Sequence, residues 1–136
     1  MMITWRGAGV LVTSLAAVVC LTACGGAQSR FDSHMKHGQA FFAAGDATKA
    51  SIEFRNALQI EPKSVEARLA AGRAAEKLRR PRDAYGLYQS VVDSSPENVE
   101  AREDLGRLLV YSGSSAQALK IIEPAIAKHP DNPTLI

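Results

Sequence analysis

The chain has 136 residues, a formal net charge of +2 and 6% aromatic residues, and it is rich in Ala, Leu, Glu, Arg and Lys, a composition that favours helices. With Arg6 set aside as part of a leader, 15 basic residues stand against 14 acidic ones, mixed along the chain. That balance excludes a nucleic-acid surface, which needs a concentrated basic patch, and no stretch alternates apolar and polar residues as a half-buried strand does.

The first predicted element is a leader over residues 1–23. Met1 to Arg6 carry one positive charge, and Gly7 to Leu21 form an apolar run of the length of a signal-peptide core, too short to span a bilayer comfortably. It ends in Leu21-Thr22-Ala23-Cys24, which resembles the bacterial lipobox, where the cysteine thiol receives a diacylglycerol. The resemblance implies that Cys24 is lipidated and becomes the first mature residue, anchoring the chain to a membrane. Residues 24–30 are then the lipidated cysteine and a tether, with Gly25-Gly26-Ala27-Gln28-Ser29 expected to be flexible. By the sorting rule of such lipoproteins, Gly25 after the cysteine implies the outer membrane, facing the periplasm, if the cell has two membranes. Cys20 falls in the removed leader, so the mature chain would carry no thiol and no disulfide, and packing alone would stabilise it.

A period follows. Gly38, Gly72 and Gly106 are 34 residues apart, and the same step relates Ala50, Ala84 and Ala118, and Pro62, Pro96 and Pro130. Phe54, Tyr88 and Ile122 keep it too, as do Ala57, Val91 and Ala125. Five columns in register across three copies resemble the tetratricopeptide repeat. The resemblance covers Phe31 to Asn132 and implies an all-α fold: an α-solenoid of three stacked helix-turn-helix repeats over 31–64, 65–98 and 99–132, with 133–136 starting an incomplete fourth.

Taking Phe31, Val65 and Val99 as position one, the glycines fall at position eight of the first helix, where a glycine costs up to about 1 kcal/mol against alanine. Three at one place imply close approach of the antiparallel helices. The alanines at position twenty share a face of the second helix with positions twenty-four and twenty-seven, which would close the core. The prolines at position thirty-two end each second helix. Gly45-Asp46 and Gly113-Ser114-Ser115 supply a left-handed cap residue and an N-cap between helices. Repeat two has Arg79-Arg80-Pro81 instead, with a proline suited to a first turn but no glycine for the cap. The large aromatic usual at position four is replaced by His34, Arg68 and Arg102, which implies either looser packing there or arginine stems in its place.

In this family the first helices line the concave side of a right-handed superhelix. Positions two, five, nine and twelve share one face: Asp32, Met35, Gln39 and Phe42; Glu66, Leu69, Arg73 and Glu76; Glu100, Glu103, Arg107 and Val110. From Gln39 onward these residues form the candidate peptide-binding groove, apolar at one end and charged at the other. Arg73 and Arg107 either grip a peptide carboxylate or form ordinary surface ion pairs with Glu66, Glu100 and Glu103. The lysine and asparagine pattern of carboxylate-clamp repeats is absent.

Catalytic readings find little support. His34 and His37 lie one turn apart near Asp32, but as packing positions without a third soft ligand they do not make a metal site. Ser112, Ser114 and Ser115 have no acid and base set beside them, and there is no phosphate-binding glycine loop. No enzyme activity, cofactor, metal or small-molecule substrate is expected. The expected partner is a protein or peptide in the cell envelope. Glu66-Ala67-Arg68, Glu100-Ala101-Arg102 and Asn56-Ala57-Leu58-Gln59 are similar to the repeat lipoproteins associated with exosortase and exopolysaccharide export; pilus-assembly lipoproteins are of the same general kind. A structural subunit of an envelope complex is the alternative, joined through an uncapped third repeat where Leu119, Ile122 and Ile126 leave an apolar stripe.

Overall fold

The computed structural model describes the backbone of residues 13–131 and the side chains of residues 25–131. The first 12 residues, the Cys24 side chain and the start of a fourth repeat at 133–136 lie outside the described residues. Among the described residues six helices follow in order: α1 Thr13–Ala43, α2 Ala47–Ile60, α3 Val65–Lys77, α4 Pro81–Ser94, α5 Val99–Tyr111 and α6 Ser115–Lys128. Among the described residues there is no strand, and no helix is long and apolar enough to cross a membrane. Each helix packs on the next, and α1 also touches α3, the arrangement of a solenoid in which every helix pair rests on its neighbour.

The fivefold column pattern becomes a packing rule. A Cβ placed on Gly38 would lie closer than 3.0 Å to the ring of Phe54; on Gly72 it would meet Tyr88, and on Gly106 it would meet Ile122. Position eight is thus glycine because position twenty-four lies against its Cα. Ala50, Ala57, Ala84, Val91, Ala118 and Ala125 are buried on the same faces. Phe31, Met35 and Phe54 gather one core cluster between α1, α2 and α3, and Tyr88, Leu105 and Val91 a second between α3 and α6. Each such side chain contributes about 1.5–3 kcal/mol by leaving water.

Three tight turns join the helix pairs, and all close in the same way. In the first, Gly45 N–H reaches Phe42 O and Asp46 N–H reaches Phe41 O; Arg79 and Arg80 repeat this on Glu76 and Ala75, and Gly113 and Ser114 on Val110 and Leu109. These paired bonds satisfy the last carbonyls of each helix and need a left-handed residue at the corner. Gly45 and Gly113 take it with φ of 82° and 80°, whereas in repeat two Arg79 itself adopts φ 58°. The next helix, α4, then opens on Pro81 without a side-chain cap. Asp46, Ser64 and Asn98 cap α2, α3 and α5 by accepting from the N–H three residues on. Ser114, expected as a cap of α6, makes no such side-chain bond, because Gln117 N–H is already bonded to the Ser114 carbonyl.

Position four is not loosely packed. Arg68 donates from Nε to Pro62 O at 3.0 Å and from Nη1 to Ser90 O at 3.3 Å, and Arg102 donates likewise to Pro96 O at 2.7 Å and Ile121 O at 2.6 Å. Each arginine therefore ties the incoming proline turn to the second helix of its repeat, where an aromatic side chain would have filled space. His34 does a related job in repeat one through Glu53, 2.6 Å away on α2.

One expectation is corrected. The segment Gly25 to Ser29 is not an open tether but part of the continuous helix α1. Helix on both sides propagates through it, since each added residue gains a bond without a new nucleation step, and Gln28 Nε2 to Asp32 and Arg30 Nε to Gly26 O support it from the surface.

Candidate functional site

Helices α1, α3 and α5 present successive turns to one side of the stack, with a cavity of about 550 Å³ between them. Its walls include Phe42 and Ala43 from the end of α1, Leu69 and Ala70 from α3, and Phe54 reaching through from α2. Leu69 is buried, while Phe42 stays half-exposed at the mouth, so the cavity offers an apolar floor to an incoming side chain. Gln39, Glu66, Arg73 and Glu100 form its polar rim. A shallower cavity of about 330 Å³ continues past Arg73, bounded by Phe42, Glu76, Lys77 and Arg107.

Eight of the ten groove residues expected from helical spacing therefore come together: Gln39, Phe42, Glu66, Leu69, Arg73, Glu76, Glu100 and Arg107. Glu103 and Val110 line neither cavity, and Val110 is exposed further along α5. Cys24, the candidate lipidation residue, has its side chain outside the described residues. The signature glycines and alanines are buried between the helices, and the prolines lie exposed in the turns after the second helices. Of the histidine pair, His34 is engaged by Glu53 while His37 points to solvent.

A ladder of charges crosses the rim. Position nine of one repeat reaches position two of the next: Gln39 Nε2 donates to Glu66 Oε1 at 3.1 Å, and Arg73 Nη2 to Glu100 Oε1 at 2.5 Å. Arg73 Nε also donates to Asp104 Oδ2 at 2.9 Å. Arg107 binds the other oxygen of Asp104 at 2.8 Å and returns to Glu76 at 3.1 Å. Tyr88 Oη donates to the same Glu76 oxygen at 2.5 Å. The choice left open between a free arginine pair and an ion-paired surface is thus decided in part by Asp104. Its side chain sits between both guanidiniums, in a residue only 8% exposed.

Burial pushes the Asp104 carboxyl above its ordinary value, and the two arginines offset this only in part. Burial likewise drives the Tyr88 phenol far above its usual range, with the bond to Glu76 adding to the shift, so Tyr88 stays a neutral donor. Sequence reasoning missed Asp104, although its spacing of three residues from Arg107 was the available signal. It also missed Phe54 as a cavity wall, having read it only as packing, and Lys77 at the second cavity's edge. Among the described residues no cluster of three or more histidine, cysteine or carboxylate side chains is placed to hold a metal.

Two family models match the chain, both described as tetratricopeptide repeat, over residues 35–99 and 75–135. Among solved structures, one titled a MamA D159K mutant aligns with TM-score 0.66 at 20% identity, covering 77% of this chain and 61% of that one. The TPR2AB domain of yeast Sti1, in a complex with pHSP90, aligns with TM-score 0.70 at 15% identity, over 94% of this chain and 52% of the other. PilF of Pseudomonas aeruginosa aligns with TM-score 0.50 at 18% identity, over 81% and 66%. At these identities the likeness is one of fold, and the chain spans less than two thirds of each of these structures. A search of the curated proteins finds no match.

Proposed function

The chain belongs to the tetratricopeptide repeat family, and from that premise we propose that it is a lipid-anchored envelope scaffold that holds a protein partner against the α1, α3 and α5 face. Repeats of this family serve protein–protein interaction, and the observation that carries the site is the apolar cavity between Phe42 and Leu69 with its charged rim. One side of the stack offers a concave apolar surface with a few directed polar groups, which is what recognition of a peptide segment requires. The solved yeast relative, bound to a pHSP90 partner, supports the general mode.

The anchor rests on the sequence Leu21-Thr22-Ala23-Cys24 after an apolar run. Export and assembly of surface polymers or pili are the settings proposed for such a scaffold. Membrane fractionation tests the anchor: wild type should sediment with membranes and incorporate labelled fatty acid, and Cys24→Ser should lose both. A Cys24→Ser chain that keeps its label would remove Cys24 as the site of the anchor. Affinity capture tests the site, with Ala43→Trp filling the cavity from an exposed position and so losing the partner at unchanged fold.

A second reading is favoured by one observation. Leu119 on α6 is 66% exposed and Tyr111 at the end of α5 is 80% exposed, while the repeat-two counterpart of the half-buried Ile126, Val92, is buried beneath the next helix pair. In this reading the α6 face joins the chain to a larger envelope complex, and Leu119→Glu rather than Ala43→Trp abolishes capture.

A further inference from the structure

The docking reading leaves the chemistry of the partner open, and the charges on the rim narrow it. Arg73 is shared between Glu100 and Asp104, and Arg107 between Glu76 and Asp104. Two guanidiniums thus serve three carboxylates, so the ladder keeps a net negative charge. Glu66 adds to it: its contact is the neutral amide of Gln39, and among the described residues no ion pair with a cation is formed by it. Lys77 on the edge of the second cavity offsets one charge, and at the apolar cavity itself the carboxylates of Glu66 and Glu100 stand against Arg73 as the one cation among the described residues of its rim.

A carboxylate ligand arriving here meets the carboxylates of Glu66 and Glu100 at the mouth, and it finds Arg73 Nε and Nη2 already bonded to Asp104 and Glu100. Taking those donors breaks bonds of 2.9 and 2.5 Å to make equivalent ones, and it leaves the buried Asp104 with Arg107 as its remaining cation partner among the described residues. A cation meets no such obstacle, because exposed carboxylate oxygens at the mouth can accept it while an adjacent apolar side chain fills the cavity. Spacing agrees: Glu66 and Leu69 are three residues apart on α3, on one helical face.

Resting on the docking reading, we propose that the groove takes a peptide segment carrying one apolar side chain for the Phe42–Leu69 cavity and a neighbouring lysine or arginine for Glu66 and Glu100. It is a basic-apolar reader rather than a binder of free carboxylates. Complementary charge of this kind acts chiefly on discrimination and on the rate of encounter.

The test uses the full-length chain in detergent and four labelled, end-blocked peptides: leucine-lysine, leucine-glutamate, leucine-glutamine and serine-lysine pairs in one glycine-serine frame. Fluorescence anisotropy at low salt should rank leucine-lysine first, by about tenfold or more over leucine-glutamate, with serine-lysine weak. The preference should collapse at about 1 M salt, where the screening length is near 3 Å. Glu66→Gln, which keeps an acceptor for Gln39, should cut the ratio of leucine-lysine to leucine-glutamine binding at least severalfold. Equal or tighter binding of leucine-glutamate, or an unaltered preference in Glu66→Gln, overturns the charge inference while the docking reading stands. Failure of all four peptides to bind, or binding that Ala43→Trp does not weaken, overturns both.

Discussion

A tyrosine ring lying on a glycine decides how tightly repeat two closes. Tyr88 cannot retreat from Gly72, because it is fully buried and its hydroxyl is held by Glu76. Gly72→Ala should therefore destabilise the chain by about 1–2 kcal/mol, overpacking outweighing the gain in helix propensity. Gly86 on α4 has nothing within 4 Å of an added Cβ, and Gly86→Ala should stabilise by about 0.5–1 kcal/mol. Urea unfolding of the pair checks both signs, and equal effects at the two sites would remove the packing explanation. Arg79 gives a further case: its left-handed φ of 58° is strained for a side chain, so Arg79→Gly should stabilise by about 0.5–1 kcal/mol as read from the shift in the urea midpoint. The glycine column was legible in the sequence because a helix interior tolerates glycine only under geometric demand. The missing glycine at the turn was legible too, but not that arginine itself would take the corner, since its cost is small beside the two bonds that the turn makes.

At the scale of elements, Arg68 and Arg102 hold the turns at Pro62 and Pro96 onto the helix pairs that follow them. Arg102 makes two bonds to backbone carbonyls, and Arg102→Met, which keeps the stem and removes the fork, should cost about 1–2 kcal/mol. Thermal unfolding measures it; no change would mean that the stem alone suffices. Asp104 links α3 to α5, and its pKa is raised chiefly by burial. A raised folded pKa means that the native state holds the proton more tightly than the unfolded chain. The associated stability is fully present below the ordinary 3.8 and is lost as pH rises through the folded value. The stability of wild type over Asp104→Asn should therefore be greater near pH 3 than near pH 6, by urea unfolding at each pH. Asp46 and Glu97, whose pKa values are lowered by Lys49 and Lys128, act in the opposite sense but are common to both chains and cancel. Helical periodicity carried the three-residue spacing of Asp104 and Arg107, but it gives faces and not the partner a long side chain finds across a repeat boundary, as Arg73 finds Asp104.

The whole molecule is a stack in which three helix pairs bury their apolar faces on one another and leave α1, α3 and α5 to line a cavity. Its architecture was open to reading because the repeat imposes one packing solution three times. The site was only partly open: spacing placed Gln39, Phe42, Glu66 and Leu69 on a common side, whereas Phe54 enters from α2, a contribution that no single helix face encodes. Pro124 within α6 was likewise passed over, though it removes one backbone donor from the helix whose outward Leu119 is exposed. The measurement that bears most directly on the account is photo-crosslinking in intact cells, with a photoreactive residue placed at Ala43 in the groove or at Leu119 on α6. The account predicts a discrete protein adduct from Ala43; an adduct formed from Leu119 alone would contradict it and make α6 the joint.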